Sequence, residues 1–218
     1  MSVERESAGN FAALQQLLKK RPAPKPGERC DYCAVPLPGE HGHLVDLKAR
    51  RILCSCRPCY LVFEPAGAAQ GRYKVVPTRY ERVADFAVDD AAWDTLQIPI
   101  ALAFFFFNSV EKKMSAFYPG PAGATESLLP LETWNALAAS YSQLATLAPD
   151  VEALLVHRRK SAPTRCAIVP IDAAYELVGV MRTNWRGFDG GEEVWGRIET
   201  FFAKIDEHCE GRALVRPW

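Results

Sequence analysis

The chain has 218 residues, 49% of them hydrophobic and 24% charged, and its 26 Lys and Arg balance 26 Asp and Glu. That composition excludes whole-chain disorder and leaves no overall field to recruit nucleic acid or an anionic membrane. Seven cysteines, several in close pairs, argue for metal binding in a reducing compartment over a disulfide framework.

The opening Met1-Ser2-Val3-Glu4-Arg5-Glu6 has mixed charge and no apolar stretch, so it reads as neither a secretory signal nor a transit peptide, and the expected location is the cytoplasm. Phe11, Leu14, Leu17 and Leu18 recur at helical spacing, and this helix must stop before Pro22, Pro24 and Pro26. Residues 1–27 thus read as a helix with a Pro-rich linker.

Residues 28–65 carry the strongest chemical signal. Cys30-x-x-Cys33 and Cys56-x-x-Cys59 offer four thiolates at the spacing of a closed tetrahedral metal site. Between them Leu44, Val45 and Leu47, then Ile52 and Leu53, predict a hairpin turning at Lys48 to Arg51, and the whole reads as a zinc-ribbon-like module. Zinc is the expected ion, with iron of the rubredoxin kind as the alternative. A ribbon turn commonly has Gly after its second Cys, whereas Ala34 and Tyr60 stand there. Cys54, His41 and His43 are possible substitute ligands.

Residues 71–218 read as a mixed α/β domain with a largely antiparallel sheet, making the whole an α+β protein. Strands are predicted at Tyr73 to Val76, Tyr80 to Phe86, Ile100 to Asn108, Met114 to Tyr118, Val151 to Val156 and Cys166 to Val169. The apolar run Ile98 to Phe107 contains Pro99 and is about half the ~20 residues a spanning helix needs, so a central strand is expected and no membrane span. Helices are predicted at Asp90 to Leu96, from about Pro130 with Trp134, Leu137, Ala138, Tyr141 and Leu144 as its apolar stripe, from Asp172 as cap to Trp185, and from Glu192, with Val194, Trp195, Ile198, Phe202 and Ile205 inward.

Other candidates for chemistry are weaker. Tyr118 to Ser127 (YPGPAGATES) reads as a Pro/Gly loop bearing Thr125, Glu126 and Ser127, and Asn184 to Gly191 (NWRGFDGG) as a glycine-rich turn between two helices. His157, among Arg158, Arg159 and Lys160, reads as a solvated strand edge. There is no Gly-x-Ser-x-Gly, His-Glu-x-x-His or Walker loop, which favours a role other than catalysis.

The cysteine module with HGHLVDLKARRIL, the segments YPGPAGATES and DVEALLVHR, and IDAAYELVGVMRTNWRGFDGGEEVWGRIETFF together resemble an uncharacterised bacterial family, over most of Cys30 to about Lys204. Its members are often encoded beside uptake nickel-iron hydrogenases of the actinobacterial kind. The resemblance implies a setting, with hydrogenase subunits or maturation factors as protein partners, and no catalytic residues. The expected function is a zinc-binding accessory or assembly protein for a metalloenzyme acting through protein contacts. The alternatives are an iron electron-transfer protein and an enzyme using residues 118–127 or 184–191.

Overall fold

A computed structural model describes residues 27–127, 131–159, 162–187 and 190–211, with side chains of 131–133 excluded. The helix predicted at Phe11 to Lys20, the Pro-rich linker and Pro130 lie outside the described residues. The α+β class holds, as two antiparallel sheets and five helices among the described residues.

The larger sheet has six strands. In chain order these are β4 (Glu81–Arg82), β5 (Leu102–Asn108), β6 (Lys113–Gly120), β7 (Gly123–Ser127), β8 (Glu152–Arg159) and β9 (Ala162–Pro170). They lie in the order β4-β9-β8-β5-β6-β7, each pair antiparallel. Its central strands are apolar at consecutive positions because both faces are covered. Leu102 and Phe104 of β5, Ala153 and Leu155 of β8, and Ala167 and Val169 of β9 face one core. The intervening Ala103, Phe105, Leu154, Val156, Cys166 and Ile168 face the other. This two-residue alternation assigns each side chain to a layer.

The first layer is closed by the long helices α4 (Ile171–Asn184) and α5 (Gly191–Cys209). They contribute Ala174, Leu177, Val178 and Met181, and Val194, Ile198, Phe201, Phe202 and Ile205, at helical spacing. Glu192 and Glu193 stand at the positive end of α5. On α5, Trp195 is 36% exposed and Phe201 is buried, so the inward stripe runs through Phe201 and not through Trp195 as predicted. The second layer is covered by α2 (Asp90–Thr95), α3 (Leu131–Ser140) and a 3-10 turn at Ser142–Thr146, through Trp93, Trp134 and Leu144. The Asp89 carboxylate caps α2 by accepting from Ala92 N–H at 2.7 Å.

Asp172 departs from its predicted role. Pro170 occupies the cap position of α4, and Asp172 sits inside the first turn. One carboxylate oxygen accepts from the Ala173 N–H, while the other meets His43 from the smaller sheet at 2.7 Å.

The smaller sheet has β1 (Gly42–Asp46) at its centre, β2 (Arg51–Ser55) on one side and β3 (Tyr73–Val75) on the other. β1 and β2 form the predicted hairpin, whose turn is held by buried Asp46. Its carboxylate accepts from Lys48 and Ala49 N–H at 3.0 Å each and from Arg72 Nη2 at 2.7 Å. Leu44 and Leu53 point to a small core shared with Tyr60 of α1 (Arg57–Phe63). Val45 and Val76 point the other way and join the core of the larger sheet and α4. Among the described residues no helix is long and apolar enough to cross a membrane.

Candidate metal centre

The two cysteine pairs are presented by different local structures. Cys30 and Cys33 lie on a tight turn in which Ala34 N–H donates to Cys30 O at 2.9 Å and Cys30 N–H donates to Val35 O at 3.0 Å. Closing this turn puts Ala34 at φ +60°, the left-handed conformation that glycine adopts more readily. The turn is fastened to β2, because Asp31 N–H donates to Cys54 O at 2.9 Å and the Asp31 carboxylate accepts from Cys54 N–H at 2.6 Å.

Cys56 and Cys59 are placed by a helix instead of a second turn. Cys56 is the cap position of α1, Pro58 lies in its first turn, and Tyr60 N–H donates to Cys56 O at 2.9 Å. Proline is favoured there because its missing N–H has no helical partner to lose. Tyr60 therefore has ordinary helical backbone and needs no glycine. Its ring is buried, and its hydroxyl donates to Val76 O at 3.1 Å.

The four sulfurs of Cys30, Cys33, Cys56 and Cys59 lie within 4.8 Å of one another, close enough to hold a metal ion. Cys33 Sγ and Cys56 Sγ are 3.5 Å apart. Tetrahedral zinc with bonds near 2.3 Å spaces its sulfurs by about 3.8 Å, so this donor set fits such an ion. Electrostatics point the same way. Burial raises the Cys30 pKa, but backbone N–H groups of Cys56, Cys33 and Tyr32 more than offset it and bring the thiol down to about 6. Cys59 is pushed up by burial, by contacts with the other three thiols and by the negative charge of Cys30. The Cys30 thiolate forms readily, and Cys59 resists ionising until a cation shares the charge.

Cys54, His41 and His43 are not drawn into this group. They form a second one, with one ligating atom from each within 4.8 Å of the others. Cys166 is buried within the second core layer and its thiol pKa is raised well above normal by burial, while Cys209 lies at the end of α5, pushed up to about 11 chiefly by burial.

The remaining predicted sites fare differently. Residues 118–127 are the β6–β7 hairpin and not an open loop. Glu126 meets Lys113 Nζ at 3.2 Å, and the Ser127 hydroxyl donates to Leu96 O. In the segment 184–191, Arg186 N–H donates to Gly190 O at 3.2 Å, closing a turn between α4 and α5. His157 is not at a solvated edge: it is 5% exposed, with its ring 4.7 Å from that of Phe202. A cavity of about 360 Å³, which no motif signalled, lies between the smaller sheet, β5 to β7 and α4. Val45, Ile52, Phe106, Phe117, Ile171 and Tyr175 line it, with Arg50, Glu111 and Glu126 among its charged groups.

Residues 29–209 match the model of DUF5947, a family of unknown function, and the chain belongs to that family. No curated protein and no solved structure gives a significant match.

Proposed function

We propose that this member of the family is a zinc protein serving as an accessory or assembly factor for a metalloenzyme in the cytoplasm, with an uptake nickel-iron hydrogenase as its client. The observation that carries the reading is the convergence of four cysteine sulfurs within 4.8 Å. A closed four-thiolate shell leaves no position for a substrate and suits a structural zinc. Bound there, the ion would tie the Cys30 turn, the β1–β2 hairpin and the start of α1 together and supply stability that a small core lacks.

The surface beside the centre supports a docking role. Val35 is 43% exposed, Leu61 43% and Val62 66%. Val35 follows the first cysteine pair by two residues, and Leu61 and Val62 follow the second by two and three. Single exposed apolar residues are ordinary, but three so close in sequence to the metal-binding cysteines offer contact points for a protein partner. The client is the one implied by the setting in which similar chains are encoded.

Elemental analysis with an absorption spectrum on fresh protein tests the metal: zinc without a visible band is expected, and iron with thiolate charge-transfer bands would make the chain an electron carrier. Affinity purification from a hydrogenase-expressing host tests the client. Hydrogenase subunits or maturation factors should co-purify with the wild type and be lost with Val62→Glu. A wild-type eluate without them sinks the accessory reading. The cavity over Ile171 and Tyr175 favours a second reading, small-molecule binding, which a ligand screen by thermal shift addresses.

A further inference from the structure

We propose that His41, His43 and Cys54 form a second metal site, separate from the four-cysteine centre, which takes a zinc-class divalent cation on two imidazole nitrogens and one thiolate and leaves a fourth position for water. His43 and Cys54 are register partners across the β1–β2 pair. His41 precedes His43 by two residues, the spacing that returns a side chain to the same face of an extended chain. The rings of His41 and His43 stand 4.7 Å apart, and one atom from each of the three side chains lies within 4.8 Å of the others. Zinc bonds of about 2.0–2.3 Å need edges near 3.4–3.6 Å, so closing on the ion takes side-chain adjustments of no more than about 1 Å.

The hydrogen bonds orient both rings for this task. His43 Nδ1 is 2.7 Å from Asp172 Oδ2 and donates to it, the carboxylate–imidazole pairing that fixes a ligand tautomer and leaves Nε2 to bind the metal. His41 Nδ1 is 3.0 Å from Pro38 O and donates to that carbonyl, with the Glu28 carboxylate 3.6 Å away on the same side, so in the neutral ring Nε2 is the acceptor. That Nε2 is buried in a side chain only 4% exposed and has no hydrogen-bond partner among the described residues. Buried polar atoms are seldom left unpaired, and a cation on Nε2 supplies the missing partner.

With three protein ligands and one thiolate, this site should hold its ion more weakly than four thiolates do and exchange it more readily. Its position has a structural consequence. Asp172 belongs to α4, so an ion on His43 ties the smaller sheet to the start of that helix.

The test is zinc stoichiometry and affinity on the full chain, by elemental analysis after gel filtration and by competition with a chromogenic chelator. Wild type should hold two zinc ions per chain, one of them released first. Cys33→Ser should lose the tighter ion and keep the weaker, whereas His43→Ala should do the reverse. Asp172→Asn, which preserves shape, should retain both ions but weaken the second by roughly 10- to 100-fold. Cobalt titration of wild type should give a second spectral component with less thiolate charge transfer than the first. One zinc per chain under excess zinc overturns the proposal, as does a second ion that persists unchanged in both His43→Ala and Asp172→Asn. Should His43→Ala fail to fold, the wild-type stoichiometry and Asp172→Asn decide. The outcome is independent of any client, since a second ion stands or falls whether or not hydrogenase subunits co-purify.

Discussion

His43 and Asp172, 129 positions apart in sequence, meet at 2.7 Å and join β1 to the first turn of α4. Lys74 of β3 reinforces the seam at 2.7 Å from Asp150 Oδ2, and Arg50 pairs with Glu111 across it. Beneath these polar links Val45 and Val76 are 9% and 2% exposed and belong to the same core as Leu177 and Met181. The cysteine module is therefore packed onto the larger sheet by apolar burial as well as by two part-buried ion pairs, His43–Asp172 and Lys74–Asp150, while the more exposed Arg50–Glu111 pair contributes little.

That seam makes the effect of metal loss global. Cys59→Ser should remove one zinc per chain and lower the melting temperature of one cooperative transition, because loosening α1 and β1 exposes Val45 and Val76 in the shared core. Differential scanning calorimetry checks this. A variant with two resolved transitions, the upper one at the wild-type temperature, would show that the module unfolds alone.

The turn carrying Cys30 and Cys33 holds a strained residue. Ala34 has φ +60°, a conformation that costs an L-residue roughly 1 kcal/mol relative to glycine. Ala34→Gly should relieve that strain, partly offset by the added freedom of glycine in the unfolded chain, for a net gain of about 0.5 kcal/mol or less. Slower metal loss to a chelator and a small rise in melting temperature are the expected readouts. Faster loss would mean that the alanine methyl has a packing role.

Much of this architecture is legible where the chemistry is local. The unbroken apolar run through Phe104 and Phe105 places β5 inside the sheet, the Lys48 to Arg51 cluster marks the hairpin turn, and the spacing of Cys30, Cys33, Cys56 and Cys59 marks the thiolate cluster. Two features were locally signalled but outweighed by neighbours. Pro58 marks a helix start beneath the second cysteine pair. His157 shares the inward register of Ala153 and Leu155, although the basic residues beside it suggest solvent. Asp172 is different in kind. As a helix-start carboxylate it suggests a cap, and its partner His43 arrives from a distant strand through tertiary packing, which no local pattern encodes.

His157 gives the fold a pH dependence. Burial lowers its pKa to about 4; the Glu199 carboxylate, 3.9 Å from Nδ1, opposes the shift, and Arg165 and Arg159 reinforce it. The folded chain thus binds this proton less tightly than the unfolded chain, whose histidine titrates near 6.5. Between about pH 6.5 and 4 the unfolded state takes up the proton first, so stability falls as pH falls, and below about 4 the loss is complete. The size is roughly 3 kcal/mol. His157→Leu should flatten the decline in melting temperature over that window while leaving values above pH 7 nearly unchanged. An equally steep decline in the variant would assign the pH dependence to other groups.

The turn between α4 and α5 discriminates two glycines that look alike in sequence. Gly187 has φ +62° with open space around the position of a Cβ, so Gly187→Ala meets backbone strain alone, roughly 1 kcal/mol. Gly190 has φ +88°, and a Cβ there would lie 2.8 Å from Val194 Cγ1 and 3.0 Å from Trp185 Cε3. Val194 is fully buried in the core and cannot yield without disturbing its neighbours, so overpacking adds about 1–3 kcal/mol to the strain. Gly190→Ala should therefore destabilise the chain by roughly 2–4 kcal/mol, against about 1 for Gly187→Ala, as read from urea midpoints at constant slope. Equal midpoints for the two variants would mean that Trp185 swings aside, and the close packing of the α4–α5 turn would then contribute nothing to stability.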